Sequence, residues 1–172
     1  MPVLIVTARK RTTITSLLRI SLNSLLAFFL LLVTGCATTG GTKRESIKWY
    51  SLEEGKVLAK RLNRPCVVDF HFSRGCPRCE KLEKYVYSNR EIIHKLNTEF
   101  IPIRIELSGE LTPEEKALGE RFKYNNECLL LFMDPEGNVI KDPSGKNLCF
   151  VDYIEPEWFI RYLDMAKQRA LR

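Results

Sequence analysis

An α/β domain with a mixed central sheet covered by helices is the fold class this sequence predicts, and three observations carry the prediction. Short apolar runs of strand character alternate with segments of helical spacing, in the order helix, strand, helix, strand, helix, strand, strand, helix. Two capping boxes mark helix starts, Ser51-Leu52-Glu53-Glu54 and Thr112-Pro113-Glu114-Glu115. The chain has 172 residues, of which 45% are hydrophobic and 28% charged. That excludes a disordered polar tail, a collagen-like repeat and a multi-span membrane protein, and it suits one domain of ordinary size.

The first helix opens at Ser51, carries Leu52, Val57, Leu58 and Leu62 as its apolar stripe, and stops at Asn63-Arg64-Pro65. Residues Cys66 to Phe72 then read as a short, mostly buried strand. A second helix runs from Pro77 to Tyr87, with proline tolerated in its first turn, and Arg90 to Asn97 add a helical turn or two. Phe100 to Ile105 form a strand that Pro102 assigns to a sheet edge or a strand start. Thr112 caps a helix reaching Phe122. Leu129 to Met133 form an apolar strand, Asp134-Pro135-Glu136-Gly137 a turn, and Val139-Ile140 the start of a returning hairpin strand. The last helix opens near Glu155-Pro156-Glu157 and carries Phe159, Tyr162, Leu163 and Ala166 at helical spacing. No internal repeat and no second linker interrupt this series, so a single domain is expected over residues 47–172.

Residues 1–35 are of another kind. They hold Arg9, Lys10, Arg11 and Arg19 and no acid, followed by an apolar run densest at Leu25–Val33, which is the layout of a secretory signal. Val33-Thr34-Gly35-Cys36 then resembles the bacterial lipobox, which implies cleavage before Cys36 and a lipid on its thiol. The alternative is an uncleaved anchor helix with an incidental cysteine. Residues 36–46, small, polar and rich in Gly and Thr, read as a flexible tether. The overall charge of +6 and the pI near 9.0 invite an anionic partner, but residues 37–172 carry only +2. Aromatic residues fall at core positions rather than in a stacking series, so no nucleic-acid partner is expected.

Chemistry concentrates at Cys76-Pro77-Arg78-Cys79, just after a buried strand and at the start of a helix. There the unpaired N–H groups and the helix dipole favour a thiolate, and Arg74 and Arg78 add positive charge. Cys76 is the expected nucleophile and Cys79, three residues on, the resolving thiol. A structural disulfide and half of a zinc site are the alternatives, although no second Cys/His pair with zinc spacing is present. Asp69 and His71 share strand parity and are expected on one face beneath the pair, with His71 a candidate proton shuttle or metal ligand, or simply a hydrogen-bonded histidine. Cys66 reads as core, and His94 as a surface helix residue. Cys149 reads as buried or paired with another cysteine. Cys66, Cys128 and Cys149 make an odd remainder, so at least one of them is free or bonded outside the chain.

These residues resemble a thioredoxin-fold domain. Val68-Asp69-Phe70, Cys76-Pro77-Arg78-Cys79-Glu80, Leu82-Glu83-Lys84-Tyr85-Val86-Tyr87-Ser88 and Ile92 are most similar to the C-terminal periplasmic domain of DsbD-type thiol reductases. Phe132-Met133-Asp134-Pro135-Glu136-Gly137 and Tyr153…Glu157-Trp158-Phe159 match that fold's closing hairpin and helix. The resemblance implies a thioredoxin-like single domain with helices on both sheet faces. It departs in three places: Gly75 stands where tryptophan is usual, the stretch from Asp69 to Cys76 is one residue longer, and Cys128 occupies the position of the family's cis-proline. Facing the dithiol from there, Cys128 would be a third redox thiol or a third ligand, with Cys76 and Cys79, for Cu(I), zinc or an iron–sulfur cluster. A plain buried cysteine is the other reading.

Two functions of different class follow as expectations. The first is a membrane-anchored thiol–disulfide oxidoreductase of the cell envelope without a cofactor, with protein disulfides as substrates and a thiol electron donor as partner. The resemblance favours a reductase facing the periplasm, and Ala37 after the lipidated Cys36 favours the outer membrane. The second is a metal- or cluster-binding module or metallochaperone built on Cys76, Cys79 and Cys128. A redox-silent interaction module, with the CxxC as a permanent disulfide, is the third.

Overall fold

A computed structural model describes residues 45–124 and 128–170. The expected signal, the lipidated Cys36 and most of the tether lie outside the described residues. The described part contains α1 (Leu52–Leu62), β1 (Cys66–His71), α2 (Pro77–Lys81), a π-helical turn (Leu82–Val86), α3 (Arg90–Glu99), β2 (Ile101–Glu106), α4 (Pro113–Arg121), β3 (Leu130–Met133), β4 (Cys149–Phe150) and α5 (Pro156–Ala170).

The four strands form one mixed sheet in the order β2-β1-β3-β4. β1 runs parallel to β2 and antiparallel to β3, and β3 antiparallel to β4. Pro102 lies in an edge strand of this sheet, as its missing N–H requires, and Tyr50 adds an isolated parallel bridge to Ile103. Strand alternation divides the interior into two cores. Cys66, Val68 and Phe70 of β1, Ile101, Ile103 and Ile105 of β2, and Leu131 and Met133 of β3 pack with Leu52 and Ala59 of α1 and with Phe122. On the opposite face Val67, Leu130 and Phe132 pack under Leu82 and Val86, α3 and α5. Helices thus cover both faces, as the sequence implied.

Local chemistry explains the boundaries. Both expected capping boxes form, at Ser51 with Glu54 and at Thr112 with Glu115. Asn63 ends α1 in the left-handed conformation, with its N–H returning to the last turn. Within α1, Gly55 lies against β2: a Cβ there would come within 2.3 Å of Ile103 Cγ1, so only glycine lets the helix seat at this distance.

Three elements differ from expectation. The segment after Asn89 is a ten-residue helix rather than a turn or two, because the Asn89 side chain accepts from Glu91 and Ile92 N–H while Ile92, Ile93 and Leu96 bury one face. The helix starting at Pro77 loosens into a π-helical turn at Leu82. Val139-Ile140 begins the return antiparallel to β3, with the Ile140 N–H on the Phe132 carbonyl at 2.8 Å, but does not extend into a strand. Val139 makes an isolated bridge to Met133, and a second turn at Asp142-Pro143-Ser144-Gly145 sends the chain back, so that Cys149–Phe150 becomes the strand beside β3. Asp142 drives that turn by accepting from Ser144 and Lys146 N–H.

Candidate active site

The C-terminal end of β1 delivers the chain into the loop Phe72–Gly75 and from there into α2. Gly75, at φ +70°, makes the last turn before the helix, a conformation that glycine adopts without steric cost. Cys76 is the N-cap of α2: its Sγ accepts the Cys79 N–H at 3.1 Å and its carbonyl accepts the Glu80 N–H at 3.0 Å. Cys76 and Cys79 are joined in a disulfide, with Cα atoms 5.2 Å apart. The pair is asymmetric. Cys76 is half-buried at the rim, whereas Cys79 is only 2% exposed. An open cleft of about 400 Å³ lies against both cysteines, lined also by Phe72, Arg74, Glu80 and Lys84.

Asp69 and His71 point to the same face, as their parity required, and both are buried. The Asp69 carboxylate is fully enclosed and is met from three directions. Arg78 Nη1 and Nη2 lie 3.4 and 3.3 Å from Oδ1, Arg104 Nη2 lies 3.5 Å from Oδ2, and His71 Nδ1 lies 3.5 Å from Oδ2. Burial by itself disfavours the charged carboxylate, but His71 and the two guanidiniums outweigh it and hold Asp69 below the usual carboxylate range. The neighbouring Tyr87 hydroxyl is driven the other way: burial, and then the Asp69 charge, raise it well above the ordinary phenol value. Arg78, expected to add charge beside the dithiol, has its side chain 10% exposed and turned inward onto the Asp69 carboxylate.

Residues that the sequence reading did not single out complete the site. Arg104 is the parallel neighbour of Asp69 in the sheet, and its guanidinium also reaches Glu83 Oε1 at 2.7 Å. Glu106, beside His71, accepts the N–H groups of Ser73 and Ser108, each at 3.0 Å, and so ties the loop before Cys76 to the end of β2. The available signal was the alternation Ile101, Ile103, Ile105 against Arg104 and Glu106, which places two charges on the active-site face of an otherwise apolar strand.

Cys128 is placed differently from expectation. It is bonded to Cys149, the first residue of β4, in a second disulfide. In that state its sulfur is not available as a third thiol or ligand to Cys76 and Cys79, and among the described residues no three His, Cys, Asp or Glu side chains cluster as metal ligands. Cys66 is the free cysteine among the described residues, buried in the core as expected. Burial, and then the charge of Asp134, push its thiol up to about 12. His94 is an exposed helix residue, also as expected.

The lowered carboxyls set an acid limit on the fold. Burial works against Glu106, but its hydrogen bonds to Ser73 and Ser108 prevail and bring it to about 2 from 4.5. A carboxyl with a lowered folded-state pKa stabilises the fold fully above its unfolded value and loses that contribution as pH falls through the folded one. Urea midpoints are therefore expected to drop as pH falls from 4.5 toward 2, and less steeply in Glu106→Gln. Parallel pH profiles of the two proteins would remove Glu106 from this account.

The family model for a thioredoxin-like domain matches residues 52–147. No curated protein matches the chain. Among solved structures, a thioredoxin from Thermus thermophilus is similar at 21% identity, over 73% of this chain and 90% of that one, with a TM-score of 0.56. A DsbH oxidoreductase is similar at 17% identity, over 72% of this chain and 85% of that one, with a TM-score of 0.51. The oxidised C-terminal domain of DsbD from Neisseria meningitidis is similar at 17% identity, over 71% and 99%, with a TM-score of 0.48.

Proposed function

This chain belongs to the thioredoxin-like domain family, and from that premise we propose that it is a thiol–disulfide oxidoreductase acting on protein disulfides through Cys76 and Cys79. The observation that carries the reading is the asymmetric Cys76–Cys79 pair at the start of a helix, one sulfur at the rim of a cleft and the other buried.

In the reducing direction the Cys76 thiolate attacks one sulfur of the substrate disulfide. A mixed disulfide forms, and the substrate's other sulfur leaves as a thiolate that takes a proton from solvent. Cys79 loses its proton and attacks Cys76 Sγ, closing the intramolecular disulfide and expelling the second substrate sulfur. The substrate gains two electrons and the domain loses two, and a dithiol donor in the envelope restores the reduced pair. The Cys79 N–H on Cys76 Sγ and the first-turn amides of the helix favour the thiolate at Cys76 over the one at Cys79. The test is insulin reduction by the purified protein with a dithiol donor. Turnover equal to that of the donor alone would refute the reading.

We further propose that the domain is tethered by a lipid on Cys36 in the bacterial envelope, facing the periplasm, at the outer membrane. The supports are Val33-Thr34-Gly35-Cys36 after a basic and apolar leader, Ala37 behind it, and a polar tether before the folded domain. Cys36→Ala is expected to shift the protein from the membrane to the soluble fraction; a variant that fractionates like the parent would remove the anchor.

A further inference from the structure

Arg104 has an unusual set of partners for a residue in an edge strand. Its guanidinium lies 3.9 Å over the Trp49 ring and 5.4 Å from the Tyr87 ring, 2.7 Å from Glu83 and 3.5 Å from Asp69. These partners come from the segment before α1, from the residue that ends the π-helical turn, from the turn itself and from β1. The side chain is 21% exposed, although Arg104 belongs to an edge strand. The π-helical turn contributes directly: Leu82 and Val86 stay buried in the core while Glu83 meets Arg104 and Tyr87 packs beneath it. On the other side of Asp69 stands Arg78, the residue between Pro77 and Cys79. From the first turn of a short helix a long cationic side chain ordinarily reaches water, but here it is turned inward onto the Asp69 carboxylate.

We propose that Arg104 is a positioning residue for the dithiol: bridging Asp69 and Glu83, it fixes the carboxylate that keeps Arg78 turned inward, and so keeps a cation beside Cys76 and Cys79. The inference rests on the oxidoreductase reading of this pair.

The chain of contacts runs in one direction. Without Arg104 the fully enclosed carboxylate would keep His71 and one guanidinium, Arg78, against the whole cost of its burial. Arg104 supplies the second cation, and the Trp49 and Tyr87 rings hold it in place, so Asp69 remains an anion and a fixed anchor rather than a group that trades protons with Cys79. Reduction of the disulfide adds two electrons, supplied by a dithiol donor, and the pair emerges as a Cys76 thiolate and a Cys79 thiol with one proton taken up. An inward guanidinium beside the pair favours that thiolate and with it the reduced state. The other charged groups around the pair are Arg74 on the preceding loop, Glu80 and Lys84 on the helix side of the cleft, and His71 and Glu106 at the strand ends, while Glu83, the Arg104 partner, lines the same cleft. All of these remain when Arg104 alone is changed, except that Glu83 loses its guanidinium partner, an effect that Arg78→Met does not share.

The experiment compares the full chain with Arg104→Met, which keeps bulk against Trp49, and with Arg104→Lys, which keeps charge without the planar fork. Equilibration with a glutathione redox buffer is expected to shift about tenfold toward the disulfide in Arg104→Met, roughly 30 mV for this two-electron couple, with partial recovery in Arg104→Lys. The thiolate absorbance of reduced Arg104→Met is expected to appear at higher pH than in the parent. Arg78→Met, at the other end of the chain of contacts, is expected to shift both readings the same way, and the double variant no further than either single one. A lower melting temperature in Arg104→Met, with the redox equilibrium and thiolate titration both within about twofold of the parent, would make Arg104 structural only and overturn the proposal. If Arg104→Met does not fold, an Arg78→Met equilibrium equal to the parent's overturns it. A parent protein that never exchanges with glutathione would defeat the oxidoreductase reading by itself, and the thiolate titration would then decide on Arg104.

Discussion

Cys76→Ser is expected to bring disulfide reduction down to the rate of the dithiol donor alone, while Cys79→Ser is expected to stop after one exchange and accumulate a covalent adduct with the substrate. The two outcomes differ because the two sulfurs have different surroundings. Cys76 is half-buried at the rim of the cleft and accepts the Cys79 N–H, so it is the sulfur a substrate disulfide meets and the one whose anion is stabilised. A serine hydroxyl there has neither the thiolate nor the ability to form an S–S bond, so the first step is lost. Cys79, at 2% exposure, is closed to a bulky substrate but lies within disulfide distance of Cys76. Without it the mixed disulfide on Cys76 has no internal thiol to resolve it, and only external thiol releases it. The check is turnover with insulin together with intact mass of the protein after a single substrate pulse. Equal losses in the two variants, with no adduct on Cys79→Ser, would reverse or dissolve the assigned roles.

Much of this site is legible in the sequence, because each of its first members obeys a local rule. Pro77 and Cys76 mark a helix start, and Asp69 and His71 fall two apart on a strand, so their shared face follows from strand geometry alone. What was not legible is what pairing decides. Arg104 becomes part of the site only because β2 lies parallel to β1 in the register that sets it beside Asp69, and nothing local to Phe100–Ile105 fixes that register. Glu83 and Tyr87 depend on the π-helical turn, which shifts the helical phase after Leu82 and has no signature in the side-chain spacing. Cys128 was misplaced for a related reason. Taking Val139-Ile140 as the returning strand left open whether Cys149 is simply buried or pairs with another cysteine, and with which one. The second turn at Asp142–Gly145 instead makes Cys149 the strand residue beside β3, within reach of Cys128.

That second disulfide leads to the other large effect. Cys128→Ala/Cys149→Ala is expected to destabilise the domain by about 3 kcal/mol and to leave disulfide reduction near the parent's rate. The bond spans a sequence separation of 21 residues that includes both turns after β3, and cutting it returns the entropy of closing that loop to the unfolded chain. β4 has only two residues, so few other interactions hold this end of the sheet together. The bond is also poorly placed to exchange. Cys149 is half-buried and is the sulfur open to attack, but attack there must expel Cys128 as a thiolate at 6% exposure among Phe70, Tyr124 and other core side chains. Cys66, the free cysteine among the described residues, is held protonated by burial and the charge of Asp134, which push it up to about 12, so it supplies no internal thiolate. Urea melts and insulin turnover of the double variant separate the two roles. A drop in the midpoint with turnover kept makes the bond a clamp on the sheet edge, whereas turnover lost at an unchanged midpoint would place Cys128 in the exchange itself.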